Sequence, residues 1–536
     1  MSSSQVPPPY VPPPPPPPPS QAASSPWKAL IVAGVVLALV VGMMGAFLIA
    51  VGGKPRPDNP AAEPPVSNGP APVGTEALRK FYDQKIEWRN CGGMDCGSIV
   101  VPLNYDEPDA KTIKLAVLRN RAKGEAIGDL LVNPGGPGGS SLEFASSGAS
   151  QFGGKISGSY NIIGMDPRGV GASTPLKCLD TKGLDEVLAS DPDPDNADEV
   201  ATLGEMTRKF GDACEDNGGE LALHMSTVEV AKDMDILRAA LGRDKLDFFG
   251  ASYGTFMGAT YADLFPQFVG RMVLDGALDP SLSNEELTLG QAKGFQTALD
   301  AYLEYCVDQG DCPLGDSVEE ASFNLRKFLD SVDAKPLDTG TDRELTEGLA
   351  YMGIWLPLYA RSLWDMLTPA LDAAINDGDG SQLLMLSDYY SGRGPKSYKD
   401  NSMNALYAVN CLDHNDYITA EEVPAKIPVF EEVSPVFGRS FAYSLASCSD
   451  WPIKSGNVTK ELRAQGAPPI VVIGTTRDPA TPYQWAVSLA EQLESGVLIK
   501  RDGDGHTGFN AGNDCVDDAV NKFLVRGVVP PDGLSC

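Results

Sequence analysis

The chain has 536 residues, 42% of them hydrophobic, which is enough to build a large core and more than one structural unit. Its 72 acidic and 42 basic residues give a net charge of −30, so its surface would repel phosphate backbones, and nucleic acid is excluded as an expected partner. The ten cysteines are too few for a miniature disulfide scaffold, but their number is even and several lie in close pairs: Cys91/Cys96, Cys306/Cys312 and Cys515/Cys536.

The N-terminal region predicts a membrane anchor. Residues 1–28 are rich in proline and typical of a solvated polyproline II segment, and residues 54–76 form a second proline-rich stretch that we interpret as a linker. Between them, the predicted span of residues 29–53 contains an uninterrupted apolar or glycine run from 29 to 51, which is long enough to cross a bilayer as a helix. A long cleavable signal peptide is the alternative.

The cysteines orient this anchor. Close pairs such as the one in "CGGMDC" predict disulfides, which persist in oxidising compartments. Zinc is the competing interpretation, but no second His or Cys pair follows at the spacing of a zinc site, and no metal or other cofactor is predicted. We therefore expect a single-pass protein of the cell membrane with a cytoplasmic N-terminus and an extracytoplasmic C-terminal part, either retained at the membrane or released.

Residues 77–282 predict the first part of an α/β domain. The runs "SIVVPLNY" and "TIKLAVLRN" indicate a paired opening of a sheet, and "DLLVNPGG" and "NIIGMDPRG" have the form of strands buried on both faces. "STVEVAKDMDILRAALG" opens with Ser226 and Glu229 at capping-box spacing and predicts a helix. "KLDFFGAS" and "GRMVLDG" then predict two strands around the helix "YGTFMGATYADLF". This alternation favours an α/β fold with a mainly parallel sheet.

The alternation breaks in residues 283–460, which predict an inserted helical cap. "NEELTLGQAKGFQTALDAYLEYC" and "GIWLPLYARSLWDMLTPALDAAI" are long and helical, with no comparable strands between them. Strands and helices alternate again in residues 461–536, the predicted second part of the same core, with "PPIVVIG", "PYQWAVSLAEQL", "GVLIKRD" and "DCVDDAVNKFLV". Because the segments on either side of the insertion end at the same edge of the sheet, we expect the cap to lie over a site at that edge.

A serine in "FFGASYGT" is the candidate nucleophile. Ser252 is the centre of the G-x-S-x-G pattern formed with Gly250 and Gly254, after a predicted strand and before a predicted helix. In that context the pattern forms a nucleophile elbow, and the glycines permit the tight turn. A small residue in a glycine-rich bend is the alternative.

The three histidines of the chain test this hypothesis. In this fold the base follows the nucleophile and an intervening acid, which eliminates His224 by its position, and His414 lies within the helical insertion. His506, in "RDGDGHTGF", follows the last predicted strand and is the predicted base. Asp478, in "RDPATP", is the favoured acid because it lies past a buried strand and 28 residues before the histidine. The competing acids are Asp275 and Asp279 in "VLDGALDP".

An oxyanion hole needs two backbone N–H groups, one after the nucleophile and one after an earlier strand. Tyr253 supplies the first, and the loop "NPGGPGGSS" supplies the second, which we assign to Gly136. A phosphate-binding loop is the alternative for this glycine run, but the run lacks both the GK[ST] ending and the G-x-G-x-x-G spacing.

Several motifs of the chain, taken together, resemble those of a known family. "NPGGPGGSS", "MDPRGVGAS", "DFFGASYGT", "VLDGALDP", "RDPATP" and "DGLSC" together resemble the secreted tripeptidyl-aminopeptidase family, a branch of the proline-iminopeptidase-like α/β hydrolases of actinobacteria, over roughly residues 80 to 536. The resemblance implies an α/β-hydrolase fold and the catalytic residues Ser252, Asp478 and His506. One difference is that the related iminopeptidases have a histidine before "GGPG", where this chain has Pro134.

The resemblance also implies an activity. The family releases residues from free amino termini, which requires a carboxylate to receive the ammonium group, and Asp413 in "NCLDH" is the candidate, ahead of Glu285 and Glu286. A carboxylesterase using the same residues on acyl esters and a non-catalytic envelope binding protein are the alternatives. Proximity and resemblance together predict local disulfides, which pair residues 91–96, 178–214, 306–312, 411–448 and 515–536.

Overall fold

The computed structural model describes residues 68–449, 451–452 and 460–536. The predicted polyproline segment, the predicted membrane span and most of the predicted linker lie outside the described residues, so the predictions made for them stay predictions. Among the helices of the described part, none is both long and apolar enough to span a membrane.

A ten-stranded sheet organises the described part of the chain, in the order β1-β2-β3-β5-β4-β6-β7-β8-β9-β10. The strands are β1 Arg89–Cys91, β2 Met94–Pro102, β3 Thr112–Asn120, β4 Gly128–Asn133, β5 Tyr160–Met165, β6 Leu246–Ala251, β7 Val269–Asp275, β8 Ile470–Arg477, β9 Gly496–Asp504 and β10 Leu534–Ser535. The pairs β1/β2, β2/β3 and β3/β5 are antiparallel, and all the others are parallel. The predicted α/β fold is confirmed, and the short edge strands β1 and β10 were not predicted.

Helices cover both faces of this sheet. Because side chains of a strand alternate between faces, Phe248 joins the apolar cluster that contains Leu237 and Tyr261, whereas its neighbour Phe249 joins the cluster that contains Phe523. The α-helices before β8 are α1 Arg79–Tyr82, α2 Ser141–Ser146, α3 Ala149–Ser159, α4 Thr181–Leu188, α5 Ala197–Gly218, α6 Thr227–Ala240, α7 Tyr253–Leu264, α8 Asn284–Asp308, α9 Val318–Ala334, α10 Glu347–Leu358, α11 Trp364–Asp372, α12 Ser381–Ser391, α13 Ser402–Asp413, α14 Ile427–Val433 and α15 Gly438–Ser444. After β8 come α16 Tyr483–Gln492 and α17 Asp514–Arg526.

The helices α8 to α15 lie between β7 and β8 in sequence, although these two strands are neighbours in the sheet. They share an apolar core that is distinct from the two clusters on the sheet. Helix α13 is an exception, because its apolar residues Ala405, Val409 and Leu412 pack into a sheet cluster instead. The boundaries predicted for the cap, residues 283 and 460, stay predictions.

The stretch "GIWLPLYARSLWDMLTPALDAAI" is helical but not continuous, which corrects the expectation of a long helix. Helix α10 ends at Leu358, directly after Pro357, and Ala360 is extended with φ −151° and ψ 123°. Pro357 has no N–H group to donate to the carbonyl of Gly353, which weakens the last turn of the helix. Tyr359, the residue that caps the helix, keeps helical dihedral angles (φ −68°, ψ −22°), and the chain direction changes after it.

Five disulfides form, and their pairing confirms the prediction: 91–96, 178–214, 306–312, 411–448 and 515–536. None of the ten cysteines is free. Each bridge closes a local segment, and Cys411–Cys448 ties the end of α13 to the chain that leads back to the sheet.

Candidate active site

Ser252 lies on the turn between β6 and α7, the position expected of a nucleophile elbow. Its backbone has φ 55° and ψ −128°, a conformation that costs free energy for a non-glycine residue and that is typical of functional sites. The flanking glycines are required sterically, because a Cβ on Gly250 would lie 2.3 Å from the Gly254 carbonyl oxygen. The Ser252 N–H donates to the Asp275 carbonyl oxygen at 2.8 Å, which fixes the turn against β7.

His506 and Asp478 form a direct pair. The imidazole Nδ1 lies 2.8 Å from Asp478 Oδ1 and 2.9 Å from Oδ2. Burial opposes the charged imidazole, but the Asp478 carboxylate outweighs it, so the pKa of His506 lies above its ordinary value. The other ring nitrogen, Nε2, is buried and has no hydrogen-bond partner among the described residues. The imidazole therefore has Nδ1 fixed by the acid and Nε2 free for proton transfer.

The Asp478 carboxylate is held by the turn that follows it. Its Oδ1 accepts from the amides of Ala480 at 3.0 Å and Thr481 at 2.9 Å, and its Oδ2 accepts from the Thr481 hydroxyl at 3.1 Å. The same hydroxyl lies 3.3 Å from His506 Nδ1. Thr481 was not among the predicted site residues, although its place in "RDPATP" three residues after the acid is a signal for a capping turn.

The competing acids do not contact the imidazole. The Asp275 carboxylate accepts from the backbone amides of Gly508 at 2.7 Å and Phe509 at 2.9 Å, and burial raises its pKa to about 6. Asp275 thus ties the loop that follows His506 to the strand that supports the serine turn. Asp279 accepts from Ser281 and from Gln492, away from the imidazole.

Two backbone amides are available beside the serine. The N–H of Gly135 is used, because it donates to Asn133 Oδ1 at 2.9 Å, whereas the N–H of Gly136 has no hydrogen-bond partner among the described residues. The amide of Tyr253 opens helix α7, where N–H groups have no intrahelical partner and the helix dipole favours negative charge. A Cβ on Gly135 would lie 2.7 Å from Ser252 Cβ and 3.1 Å from the Tyr253 nitrogen, so this loop adjoins the serine.

Asp413 is buried near the residue that follows the serine. Its carboxylate accepts from the Thr227 amide at 2.8 Å and from the Thr227 hydroxyl at 2.6 Å. That hydroxyl in turn contacts the Tyr253 hydroxyl. Burial raises the pKa of Asp413 to about 7. In contrast, Glu285 pairs with Lys426, so Asp413 is the more enclosed carboxylate.

The other histidines lie outside this arrangement. His224 Nδ1 contacts Glu229 Oε1 at 2.8 Å, at the start of α6. His414 follows the end of α13, and burial lowers its pKa.

One carboxylate cluster in the described residues is close enough to share a cation: Asp191, Asp193 and Glu347. Arg326 already pairs with two of them, at 2.8 Å from Asp193 and 2.9 Å from Glu347, so a guanidinium supplies the positive charge there. This cluster is not part of the candidate active site.

The strained serine turn, the fixed imidazole and the chain order Ser, Asp, His define the protein as a serine hydrolase of the α/β-hydrolase fold. Among known proteins, a family model described as TAP-like protein matches residues 434–536. "Serine protease Hip1" of Mycobacterium tuberculosis (strain ATCC 25618 / H37Rv) is 37% identical over 475 residues, which cover 84% of this chain and 91% of the relative. The chain therefore belongs to the TAP-like, or tripeptidyl-aminopeptidase-like, family.

Two further relatives carry different names. "Carboxylesterase B" of Mycobacterium tuberculosis (strain ATCC 25618 / H37Rv) is 34% identical over 507 residues, covering 92% of this chain and 97% of the relative. "Tripeptidyl aminopeptidase" of Streptomyces lividans is 29% identical over 479 residues, covering 84% and 86%. The similar proteins thus include two that are named as peptidases and one that is named as an esterase.

Proposed function

We propose that this serine hydrolase is an aminopeptidase that releases residues or short peptides from free amino termini. The observation that carries the proposal is the buried carboxylate of Asp413, which is connected through the Thr227 hydroxyl to the residue after the nucleophile. The names of two relatives, a serine protease and a tripeptidyl aminopeptidase, support a peptide substrate.

In the proposed mechanism, Ser252 Oγ attacks the scissile carbonyl carbon while His506 Nε2 takes its proton. The carbonyl oxygen becomes an oxyanion, which accepts hydrogen bonds from the amides of Gly136 and Tyr253. The imidazolium then gives the proton to the leaving amine as the C–N bond breaks, and an acyl-enzyme remains. Water, deprotonated by His506, then attacks the acyl carbon. As the bond from that carbon to Ser252 Oγ breaks, His506 returns the proton to Oγ and the acid product leaves. Asp478 holds the proton of Nδ1 throughout and thereby fixes the tautomer.

Asp413 is the proposed partner of the substrate's ammonium group. A carboxylate has about four lone-pair positions, and two of them accept from Thr227, so acceptor capacity remains. A buried carboxylate attracts a cation more strongly than an exposed one because the local dielectric is low. We expect this attraction to favour chain ends over internal peptide segments.

The test compares a tripeptide amide substrate with its N-acetylated form. We expect kcat/KM to fall sharply on acetylation in the parent enzyme, because the acetyl group removes the charge that Asp413 receives. Asp413→Asn should lose most of the difference between the two substrates, whereas Glu285→Gln, a matched change at an acid paired with Lys426, should keep it. Equal turnover of free and acetylated peptides by the parent would refute the aminopeptidase proposal.

A carboxylesterase is the second candidate function. It is favoured by the relative named Carboxylesterase B, whose match covers 92% of this chain. Parallel kcat/KM measurements on peptide amides and p-nitrophenyl esters of increasing acyl length decide between the two candidates. A preference for long acyl esters, with no turnover of free peptides, would replace the aminopeptidase by the esterase.

We also propose that the enzyme is anchored in the cell membrane by residues 29–53, with the catalytic part outside the cytoplasm. The apolar run of residues 29–51 and the five disulfides support this location. Protease added to intact cells should degrade the C-terminal part of a membrane-retained chain. Survival of that part in intact cells, with degradation only after lysis, would contradict the proposed topology.

A further inference from the structure

The break between α10 and the next helix brings the helical insertion into direct contact with the candidate base. The Tyr359 carbonyl oxygen accepts the backbone N–H of His506 at 2.8 Å. The Tyr359 ring also packs against the His506 ring, with the centroids 5.4 Å apart and the planes at 89°. One residue of the insertion therefore contacts both the backbone and the imidazole of His506.

The histidine loop is shaped to accept this contact. Gly505 has φ 96°, and a Cβ at this position would lie 2.8 Å from the Tyr359 carbonyl oxygen, so a side chain there would separate the two segments. A second contact joins the same segments, because Arg361 Nη1 lies 3.3 Å from Asp504 Oδ2.

The Tyr359 ring is itself held in place by the insertion. It packs against Phe295 of α8, at a centroid distance of 5.8 Å, and against Tyr390 of α12, at 6.2 Å. Burial, with the adjacent Tyr390 hydroxyl as a lesser cause, raises the pKa of Tyr359 well above its ordinary value, so the ring is neutral in the folded enzyme. Because two aromatic neighbours pack against this neutral ring, it presents an apolar surface of fixed position to the imidazole.

We propose that Tyr359 is a positioning residue that orients the His506 imidazole for proton transfer. Asp478 and the Thr481 hydroxyl contact one ring atom, Nδ1, and no hydrogen bond of the described residues holds Nε2. In this proposal the Tyr359 ring restricts tilting of the imidazole about Nδ1 and thereby keeps Nε2 in position for proton transfer with Ser252. The consequence is that the helical insertion completes the catalytic geometry of the core.

This inference rests on the proposed base role of His506 but not on the proposed peptide substrate. The test therefore uses p-nitrophenyl acetate turnover and the rate of labelling by a fluorophosphonate, neither of which requires an amino terminus. If the fluorophosphonate labels the parent enzyme but the parent cleaves no peptide, the aminopeptidase proposal fails. The Tyr359 variants still test the positioning role in that case.

The variants are Tyr359→Phe, which keeps the ring, and Tyr359→Leu, which removes it and keeps the backbone carbonyl. Tyr302→Leu is the matched control, because Tyr302 is a buried residue of the insertion whose ring packs at 77° on Trp364, and the structure places it outside the candidate site. We expect Tyr359→Leu to lower kcat and the labelling rate by about tenfold to about 100-fold. The upper value is the loss of rate that a 1 Å misplacement of a reacting group can cause. KM should stay within about twofold of the parent, and Tyr359→Phe should restore kcat. Tyr302→Leu should lower the melting temperature without lowering kcat.

A spectroscopic measurement keeps the proposal testable if Tyr359→Leu folds poorly. The chain has only three histidines, so ¹³C labelling at imidazole Cε1 gives a simple spectrum that His506→Gln assigns. We expect the His506 signal to shift in Tyr359→Met, which removes the ring current with a flexible side chain, and to keep its position in Tyr302→Leu. A folded Tyr359→Leu or Tyr359→Met enzyme with parental kcat, or with the whole loss in KM, would overturn the proposal.

Discussion

Two buried carboxylates border His506, and exchanging each for an amide separates their roles. Asp478 contacts the imidazole Nδ1, whereas Asp275 accepts from the backbone amides of Gly508 and Phe509. Asp478→Asn places an amide beside Nδ1 and can stabilise the wrong tautomer. We expect kcat to fall by about 10⁴-fold, equivalent to about 5.5 kcal/mol of transition-state stabilisation.

Asp275→Asn should change stability more than chemistry. An asparagine offers one oxygen in place of two, so one of the amides of Gly508 and Phe509 loses its acceptor. The free energy of unfolding should fall by about 1.5–3 kcal/mol, the range for a hydrogen bond to a charged group. We expect kcat to stay within about tenfold of the parent, because Asp478 still holds Nδ1.

The pH profile gives this pair of variants a second readout. The negative charge of Asp275 contributes to the raised pKa of His506, so its removal lowers that pKa. The acid limb of kcat/KM, which reports deprotonation of the base in the free enzyme, should therefore move to lower pH in Asp275→Asn. Ester turnover from about pH 5 to 9 and urea unfolding at pH 7.5 measure both effects. The reasoning would be refuted by a large loss of kcat in Asp275→Asn together with near-parental kcat in Asp478→Asn, which would assign the acid to the earlier strand.

Three further outcomes are expected. Ser252→Ala and His506→Ala should each lower kcat by about 10⁵-fold or more, and Ser252→Ala should abolish fluorophosphonate labelling; labelling at another residue would contradict the assignment. KM for free peptides should rise as pH falls through about 7, because the pKa of Asp413 is raised to about 7 and its carboxylate loses its charge below that pH. KM for N-acetylated peptides should not show this rise. Replacing Cys515 and Cys536 together by alanine should lower the free energy of unfolding by about 3 kcal/mol, from the loop of 21 residues that they close. Unchanged urea midpoints in that double variant would show that the tail adds no constraint.

Local patterns in the sequence predicted most of the architecture. Strand β4 is buried along its whole length and β6 at every residue except Asp247, and the capping box of Ser226 and Glu229 starts α6 as expected. These features were predictable because periodicity, capping and turn chemistry act between residues a few positions apart. The stretch around Pro357 was less predictable, since its apolar pattern continues through the point where the helix breaks.

The candidate nucleophile and the candidate base could both be named from the sequence, because the elbow pattern is local and the chain has only three histidines. For the acid, the sequence favoured Asp478 but left Asp275 and Asp279 as competitors. Asp275 is the last residue of β7 and Asp478 directly follows β8, and only the packing of these strands puts Asp478 against Nδ1 and Asp275 against the loop amides. The burial of Asp413 is a similar case, since its partner Thr227 lies 186 residues away in sequence.

The sequence by itself therefore indicated the fold class, the serine turn and the chain order of the candidate serine, acid and histidine, since each depends on neighbouring residues or on chain order. The disulfide pairing needed the family resemblance as well, because Cys178–Cys214 and Cys411–Cys448 join residues 36 and 37 positions apart. The tertiary structure decided between Asp478 and the competing carboxylates that the sequence left open, showed that the amide of Gly136 stays free, and alone showed that Tyr359 packs against the imidazole. These contacts join segments more than 100 residues apart or select between chemically equivalent groups. No short-range pattern encodes such a choice, because it is made by the relative placement of strands, loops and the inserted helices during packing.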